Sequence, residues 1–419
     1  MKTEAKNIVF NILGVLSTKG VVLVIGLLNS ILLARYLGAV GQGQYAVAIT
    51  IYTTFFQITN MGLHSAHTYY LSKNKRNLSV VLGNSMAVSV IVAVLTVIII
   101  GILAFLRRKY CGIELYYMIA LLIVPVYLFF YLQQQTFLVL DKIKLLNFFD
   151  IFAVLIPFLG SICMIFENKL NINMILGLIA LTYFVLDLIG IIFISRINKV
   201  MEVSWKFYKK CIKIGVCAAI SCFLGFLVLR IDILMVKNMT DDTQTGIYSL
   251  AVNLADILNM FCSTCVLVVF PKVNAVKDAS ERYIIYKKIA KKVLVCMVLI
   301  TIIAELFIGC LLPLLYGEEY LPAVPVFRIL VLGVAFWGMA GIPISYYVTN
   351  KDYKMSIIAY IIALILDIIF NNILIPIYGI NGAAIASAIS YAFVFSYCFI
   401  VFVLKEKMEG KLFTNNESE

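Results

Sequence analysis

Apolar residues run in blocks of about twenty along nearly the whole chain, separated by short stretches that carry Lys, Arg, Gly and Pro. At about 1.5 Å of rise per residue, each block is long enough as a helix to cross a hydrocarbon core roughly 30 Å thick. The pattern predicts twelve spans, over 8–34, 45–71, 80–106, 114–138, 147–166, 172–195, 211–236, 246–270, 292–316, 325–348, 355–376 and 381–404. An even count returns both chain ends to one side of the membrane. The two longest connections, 196–210 and 271–291, mix basic residues with Trp205, Phe207, Tyr208, Tyr283 and Tyr286. Such stretches lie on an anionic leaflet as interfacial helices, or serve as solvated linkers.

Composition agrees with this pattern. Of the 419 residues, 63% are hydrophobic and 13% charged, with a mean hydropathy of +1.01, which removes the water-soluble globular class. The first block lacks a small-residue cleavage site and is read as a retained helix. The net charge of +12 comes from Lys and Arg in the gaps between blocks, with no continuous basic face for nucleic acid. With the N-terminus placed in the cytoplasm, most basic residues fall on inner segments, Lys73, Lys75, Arg76, Lys142, Lys144 and the 196–213 connection among them. That asymmetry predicts both termini in the cytoplasm of a multi-pass plasma-membrane protein, with Arg107, Arg108 and Lys109 as the exception.

The ten cysteines are scattered through apolar blocks and imply no disulfide framework. Cys262 and Cys265 form a CxxC on a helix in lipid, which is read as packing. No P-loop, HExxH or catalytic serine motif occurs, so neither an ATP-driven pump with its own nucleotide domain nor a hydrolase is expected. No cofactor and no metal are expected.

After the first span comes Arg35-Tyr-Leu-Gly38, then Gly43-Gln-Tyr45 opening the second. After the seventh comes Gly246-Ile-Tyr248, about half the chain further on. Six spans per half is even, so both halves enter the membrane in the same sense, as parallel repeats do. The reading is an all-α integral membrane fold of two six-helix bundles, 1–205 and 206–419, the second with a short cytoplasmic tail.

Three motifs carry a family resemblance. Leu33-Ala-Arg35-Tyr-Leu-Gly38 with Gly43-x-Tyr45 resembles the first-helix exit of Wzx-type polysaccharide-transport flippases of the MOP superfamily. Tyr316-Gly-Glu-Glu-Tyr320-Leu-Pro-Ala323 with Phe327-Arg-Ile-Leu330 is similar to their ninth-to-tenth helix turn. Asn372-Ile-Leu-Ile-Pro376-Ile-Tyr-Gly379-Ile-Asn-Gly382-Ala-Ala384 resembles their eleventh-to-twelfth turn. The resemblance implies a MATE-like pair of bundles that alternates access and carries undecaprenyl-diphosphate-linked oligosaccharide outward for O-antigen, capsule or exopolysaccharide assembly. It also implies a polysaccharide polymerase and a chain-length regulator as partners. Multidrug exporters of the same superfamily share the twelve-span count and stand as the alternative; a membrane-embedded polymerase is disfavoured because no long outer loop is present.

A charge at the centre of a membrane helix costs about 2.5–3.5 kcal/mol on insertion scales, so a retained one faces a cavity or a partner. Lys19 in the first span and Arg230 in the seventh are read as contacts for a diphosphate headgroup, with Arg35 at the outer mouth. The structural alternative pairs these cations with Asp187, Asp232, Asp256 or Asp367. Asp256, Asp367 and Glu305 are candidates for ion coupling, as are His64 and His67, which share a helix face. For Asp256 and Asp367, with Asn253 and Asn371 one turn away, hydrogen-bonded assembly is the competing role. Gln133, Gln134 and Gln135 are read as sugar contacts or as a polar helix end.

Overall fold

The computed structural model describes the backbone of residues 2–110, 114–197, 201–274, 279–349 and 352–416, and side chains at 14, 17–106, 114–196, 201–260, 284, 285, 287–348 and 352–404. Apart from short turns and the 201–204 stretch, the described chain is helical. Its helices are α1 (Lys2–Asn60), α2 (Leu63–Lys73), α3 (Leu78–Tyr110), α4 (Leu115–Val139), α5 (Ile143–Phe166) and α6 (Ile172–Ile197), then α7 (Trp205–Met239), α8 (Asp242–Asn274), α9 (Ala279–Tyr316), α10 (Ala323–Thr349), α11 (Lys354–Tyr378) and α12 (Ile380–Asn416). Among the described residues ten helical segments are long and apolar enough to cross a membrane. The protein is a multi-pass membrane protein.

The first two predicted spans join in one long element. Its apolar part, Ser17–Asn60, has 44 residues, or about 66 Å of helix, roughly twice a hydrocarbon core. The break that divides it is Gly38, at φ 64° and ψ −177°. The second predicted span is interrupted as well: Met61 and Gly62 take φ 42° and 71°, and α2 begins at Leu63. Only a residue without Cβ fits at Gly62, because an added Cβ would lie 2.3 Å from the carbonyl oxygen of Gly215 on α7.

The remaining turns follow local chemistry. Asn168 takes a left-handed conformation after α5, and Asn171 caps α6 by accepting from the Met174 N–H at 2.9 Å. Asp241 does the same for α8 through the Gln244 N–H at 2.7 Å. Between α11 and α12, Gly379 sits at φ 58°, and a Cβ on Gly382 would lie 2.1 Å from the Leu374 carbonyl oxygen. Ala383, Ala384 and Ala386 behind it are fully buried, so the small residues of this motif permit the close helix approach expected of them. Pro125, Pro157 and Pro343 lie inside α4, α5 and α10, as do Pro313 in α9 and Pro376 in α11.

The chain divides into two compact units, 1–220 and 221–419, with the boundary inside α7. In the first unit α4 is the most buried helix and packs against α1, α2, α3 and α6. In the second α10 takes that place, against α8, α9 and α12. The fourth span of each half is thus its packing centre. Apolar side chains such as Val97, Phe105, Leu306, Phe307 and Ile365 point outward from the helices, as lipid-facing residues do.

Candidate functional site

Among the described residues, each unit holds a charged cluster within its apolar helices. In the first unit, the Lys19 ammonium on α1 donates to Asp150 of α5 at 2.8 Å; the Lys19 side chain is 49% exposed and that of Asp150 10%. Gln134 on α4 donates to the other Asp150 oxygen at 2.6 Å. Gln133 points to the opposite side, donating to the Asp187 carbonyl on α6 at 3.3 Å. Beside this cluster, Tyr127 packs its ring edge-on against Tyr52 and Phe56, with centroids 5.5 and 4.7 Å apart, and tilted against Tyr183 at 5.0 Å.

The second unit holds the larger cluster. Arg230 on α7 donates to Asp256 on α8 at 2.5 Å, both side chains being about a quarter exposed. Asp232 is fully buried two residues further along α7. It accepts from the Tyr248 hydroxyl at 2.6 Å, from the Ser387 hydroxyl on α12 at 3.0 Å and from the Ile233 N–H at 2.7 Å. A helix turns about 100° per residue, so positions 230 and 232 diverge; that is why Arg230 reaches α8 while Asp232 faces α12. Tyr248 was legible only as part of a repeat, and its role as donor to Asp232 has no sequence signal beyond that.

Asp367 and Asn371, one turn apart on α11, are fully buried. Neither the Asp367 carboxylate nor the Asn371 amide has a hydrogen-bond partner among the described residues. The Ser390 hydroxyl of α12 lies near Asp367 outside hydrogen-bond geometry, and Asp232 is close enough to repel it electrostatically. Buried polar groups are ordinarily satisfied. Here a carboxylate, a carboxamide and the Ser390 hydroxyl lie buried without hydrogen-bond partners among the described residues.

The other candidates fall elsewhere. Arg35 is exposed on α1 ahead of the Gly38 break. Glu305 on α9 pairs with Arg328 of α10 at 3.4 Å. His64 has both ring nitrogens engaged, with Asn60 at 3.0 Å and Ser65 at 2.9 Å. His67 is buried and meets the Ser85 hydroxyl at 3.3 Å. The histidines share a face, but no cluster able to hold a metal occurs among the described residues. Cys262, Cys265, Tyr283, Tyr286 and the Arg107–Lys109 side chains lie outside the described residues.

Residues 5–274 match the family described as "Polysaccharide biosynthesis protein". The chain is similar to the Capsular polysaccharide biosynthesis protein CapF of Staphylococcus aureus, with 30% identity over 193 residues, 44% of this chain and 47% of that protein. The match spans about half the length of the curated relatives. In fold it is similar to an inward-facing MATE family multidrug resistance transporter of the MOP superfamily, with a TM-score of 0.76, 13% identity and coverage of 92% of this chain and 95% of that one. It is similar also to the lipid II flippase MurJ in an inward closed conformation, with a TM-score of 0.72, 16% identity and coverage of 93% and 87%.

Proposed function

The chain belongs to the polysaccharide biosynthesis protein family, and on that premise we propose that it is a flippase that moves polyprenyl-diphosphate-linked oligosaccharide units across a bacterial plasma membrane by alternating access. Undecaprenyl diphosphate is the carrier implied, and both termini lie in the cytoplasm. A polymerase and a chain-length regulator would act on the delivered units. Family membership and the transporter fold support transport over enzymatic chemistry, and the relative from Staphylococcus aureus supports a capsular glycan as cargo.

The observation that carries the reading is the Lys19–Asp150 pair. Its cation is half exposed, so one side of the ammonium is open to a competing anion. A diphosphate exchanges for Asp150 at Lys19 and gains a charge-assisted contact, while Asp150 keeps its hydrogen bond from Gln134. Arg35 offers a second exposed cation on the same helix. Arg230 is held more tightly by Asp256 and takes part through that exchangeable pair. Coupling is assigned to Asp232 and Asp367, where a proton or monovalent cation relieves the repulsion between two buried carboxylates.

One observation favours a second reading, an ion-coupled cation or drug antiporter. In the second unit the acidic side chains Asp232, Asp256 and Asp367 outnumber the single Arg230 of the cluster. Deleting the gene separates the two. A flippase predicts that lipid-linked repeat units accumulate on the inner face of the membrane and that the parent chain clears them. An antiporter predicts no accumulation and a gain in drug sensitivity.

A further inference from the structure

Residues 201–204, which lead into α7, are not a free linker. The Glu202 N–H donates to the Ser79 carbonyl at 3.1 Å. Ser204 and Asn84 of α3 exchange two hydrogen bonds, Ser204 N–H to Oδ1 at 2.9 Å and Nδ2 to the Ser204 carbonyl at 3.2 Å. A side chain at Gly83 would strike the Glu202 carbonyl oxygen at 2.2 Å, so glycine there admits the strand of backbone. Ser204 then caps α7 through the Phe207 N–H at 3.3 Å, and the Phe207 ring packs on Tyr70 of α2 at 4.9 Å. Residues 202–207 are thus fastened to α2 and α3.

This fastening fixes what the segment exposes. Lys206, Lys209, Lys210 and Lys213 follow helical spacing along one outward side of α7, while Phe207, Tyr208 and Cys211 turn inward. Val203 and Trp205 are 67% and 59% exposed, and the Trp205 ring stacks on Tyr208 at 4.8 Å and 17°. The turn that precedes Ser79 adds exposed Lys75 and Arg76, set by Asn74, which accepts from the Arg76 N–H at 3.0 Å. Lys73 lies over the Tyr69 ring at 4.4 Å. Glu202 is the acidic side chain of this stretch. None of Lys75, Arg76, Lys206, Lys209 and Lys210 has an ion-pair partner among the described residues.

We propose that residues 201–210, clamped beside the 73–76 turn, form a binding site for the phosphate headgroup of an anionic bilayer phospholipid. Lys206, Lys209, Lys210, Lys75 and Arg76 meet the phosphate, and Val203 with Trp205 sits at the headgroup–acyl boundary, where indole is favoured. Charge complementarity selects the occupant: a basic surface beside exposed apolar side chains matches an anionic headgroup with its acyl chains. Topology needs only the positive charges. The Asn84–Ser204 exchange and the glycine at 83 add a fixed geometry that topology does not require.

The two tryptophans, Trp205 and Trp337, make the test direct. In the full chain with Trp337→Phe, reconstituted in phosphatidylcholine vesicles, Trp205 emission is quenched by acyl-brominated phosphatidylglycerol or by acyl-brominated phosphatidylcholine at equal mole fraction. The site predicts stronger quenching by the anionic lipid, and a fall of about tenfold in that preference in K206Q/K209Q/K210Q. A K405Q/K407Q/K411Q chain keeps the preference. Equal quenching by the two lipids overturns the site, as does a preference untouched by the triple change. So does displacement of the preference by a polyprenyl diphosphate at trace amounts, which would give the patch to the cargo. If the triple variant does not fold, salt at about 0.5 M must abolish the preference in the Trp337→Phe chain; persistence overturns the proposal.

Discussion

The Arg230 guanidinium meets the Asp256 carboxylate at 2.5 Å across α7 and α8, while Asp232, two residues from Arg230, is left to Tyr248 and Ser387. One helix thus supplies both a compensated cation and a buried carboxylate held by hydroxyl and backbone donors. The division separates a tight pair that holds α7 to α8 from a site where charge is left for something else to balance.

Removing one member of the Arg230–Asp256 pair leaves the other without its counter-charge in an apolar setting. Arg230→Ala is expected to lower stability by about 2–3 kcal/mol, read as the thermal unfolding of purified protein in detergent. Arg230→Met combined with Asp256→Leu should recover most of that stability. Transport should stay low in the double variant, because an exchangeable charge pair is gone. Full transport there would reduce the pair to a structural role.

Asp367→Asn keeps the shape of the buried site and removes one of its two acidic charges. The expected result is a folded chain whose transport no longer responds to an imposed proton or sodium gradient. Asp232→Asn should behave alike, with an added stability loss of about 1–2 kcal/mol because the Tyr248 and Ser387 hydroxyls lose a charged acceptor. Gradient-dependent transport in both variants would place coupling elsewhere.

The spanning helices, ten of them among the described residues, were legible because a block of twenty apolar residues has one stable solution in lipid, a helix. The turn at Gly379–Gly382 was legible from small residues next to a glycine. The break at Gly38 falls in the polar gap predicted between the first two spans, whereas the one at Met61–Gly62 lies inside the second predicted span, where only the backbone shows the positive φ. Lys19 was visible as a charge in an apolar run, whereas its partner Asp150 was not singled out. In helices apolar on all sides the sequence gives little indication of which side faces a neighbour, so pairings across helices stay hidden. For the same reason Asp256 was one of four acidic partners open to Arg230, and Tyr248 read as a repeat mark instead of the donor to Asp232.

Gly62 and Gly215 approach backbone to backbone, and a Cβ on either would lie 2.3 or 2.6 Å from the other's carbonyl oxygen. Gly62→Ala also forces an L-residue to φ 71°. Each single alanine variant is expected to lower the unfolding temperature and yield of the full chain sharply, and the effect at Gly62 should be the larger. Gly20→Ala, which meets nothing within 4 Å, serves as the neutral comparison in the same assay.

Lys19 is half exposed and Asp150 keeps the Gln134 hydrogen bond, so loss of Lys19 is expected to strike transport more than stability. Lys19→Gln is expected to unfold within a few degrees of the parent chain while its transport falls by about tenfold, the worth of one charge-assisted contact. Lys19→Arg should retain much of the activity. Equal activity in Lys19→Gln would remove this residue from the path of the headgroup.

The most direct test places purified full-length chain in vesicles with a synthetic polyprenyl-diphosphate-linked oligosaccharide in both leaflets and measures how much glycan becomes open to a glycosidase added outside. The account predicts that enclosed glycan becomes accessible only in vesicles containing the protein, and that Lys19→Gln and Asp367→Asn slow it. No protein-dependent exposure of glycan, together with gradient-driven movement of a cationic drug in the same vesicles, would contradict it.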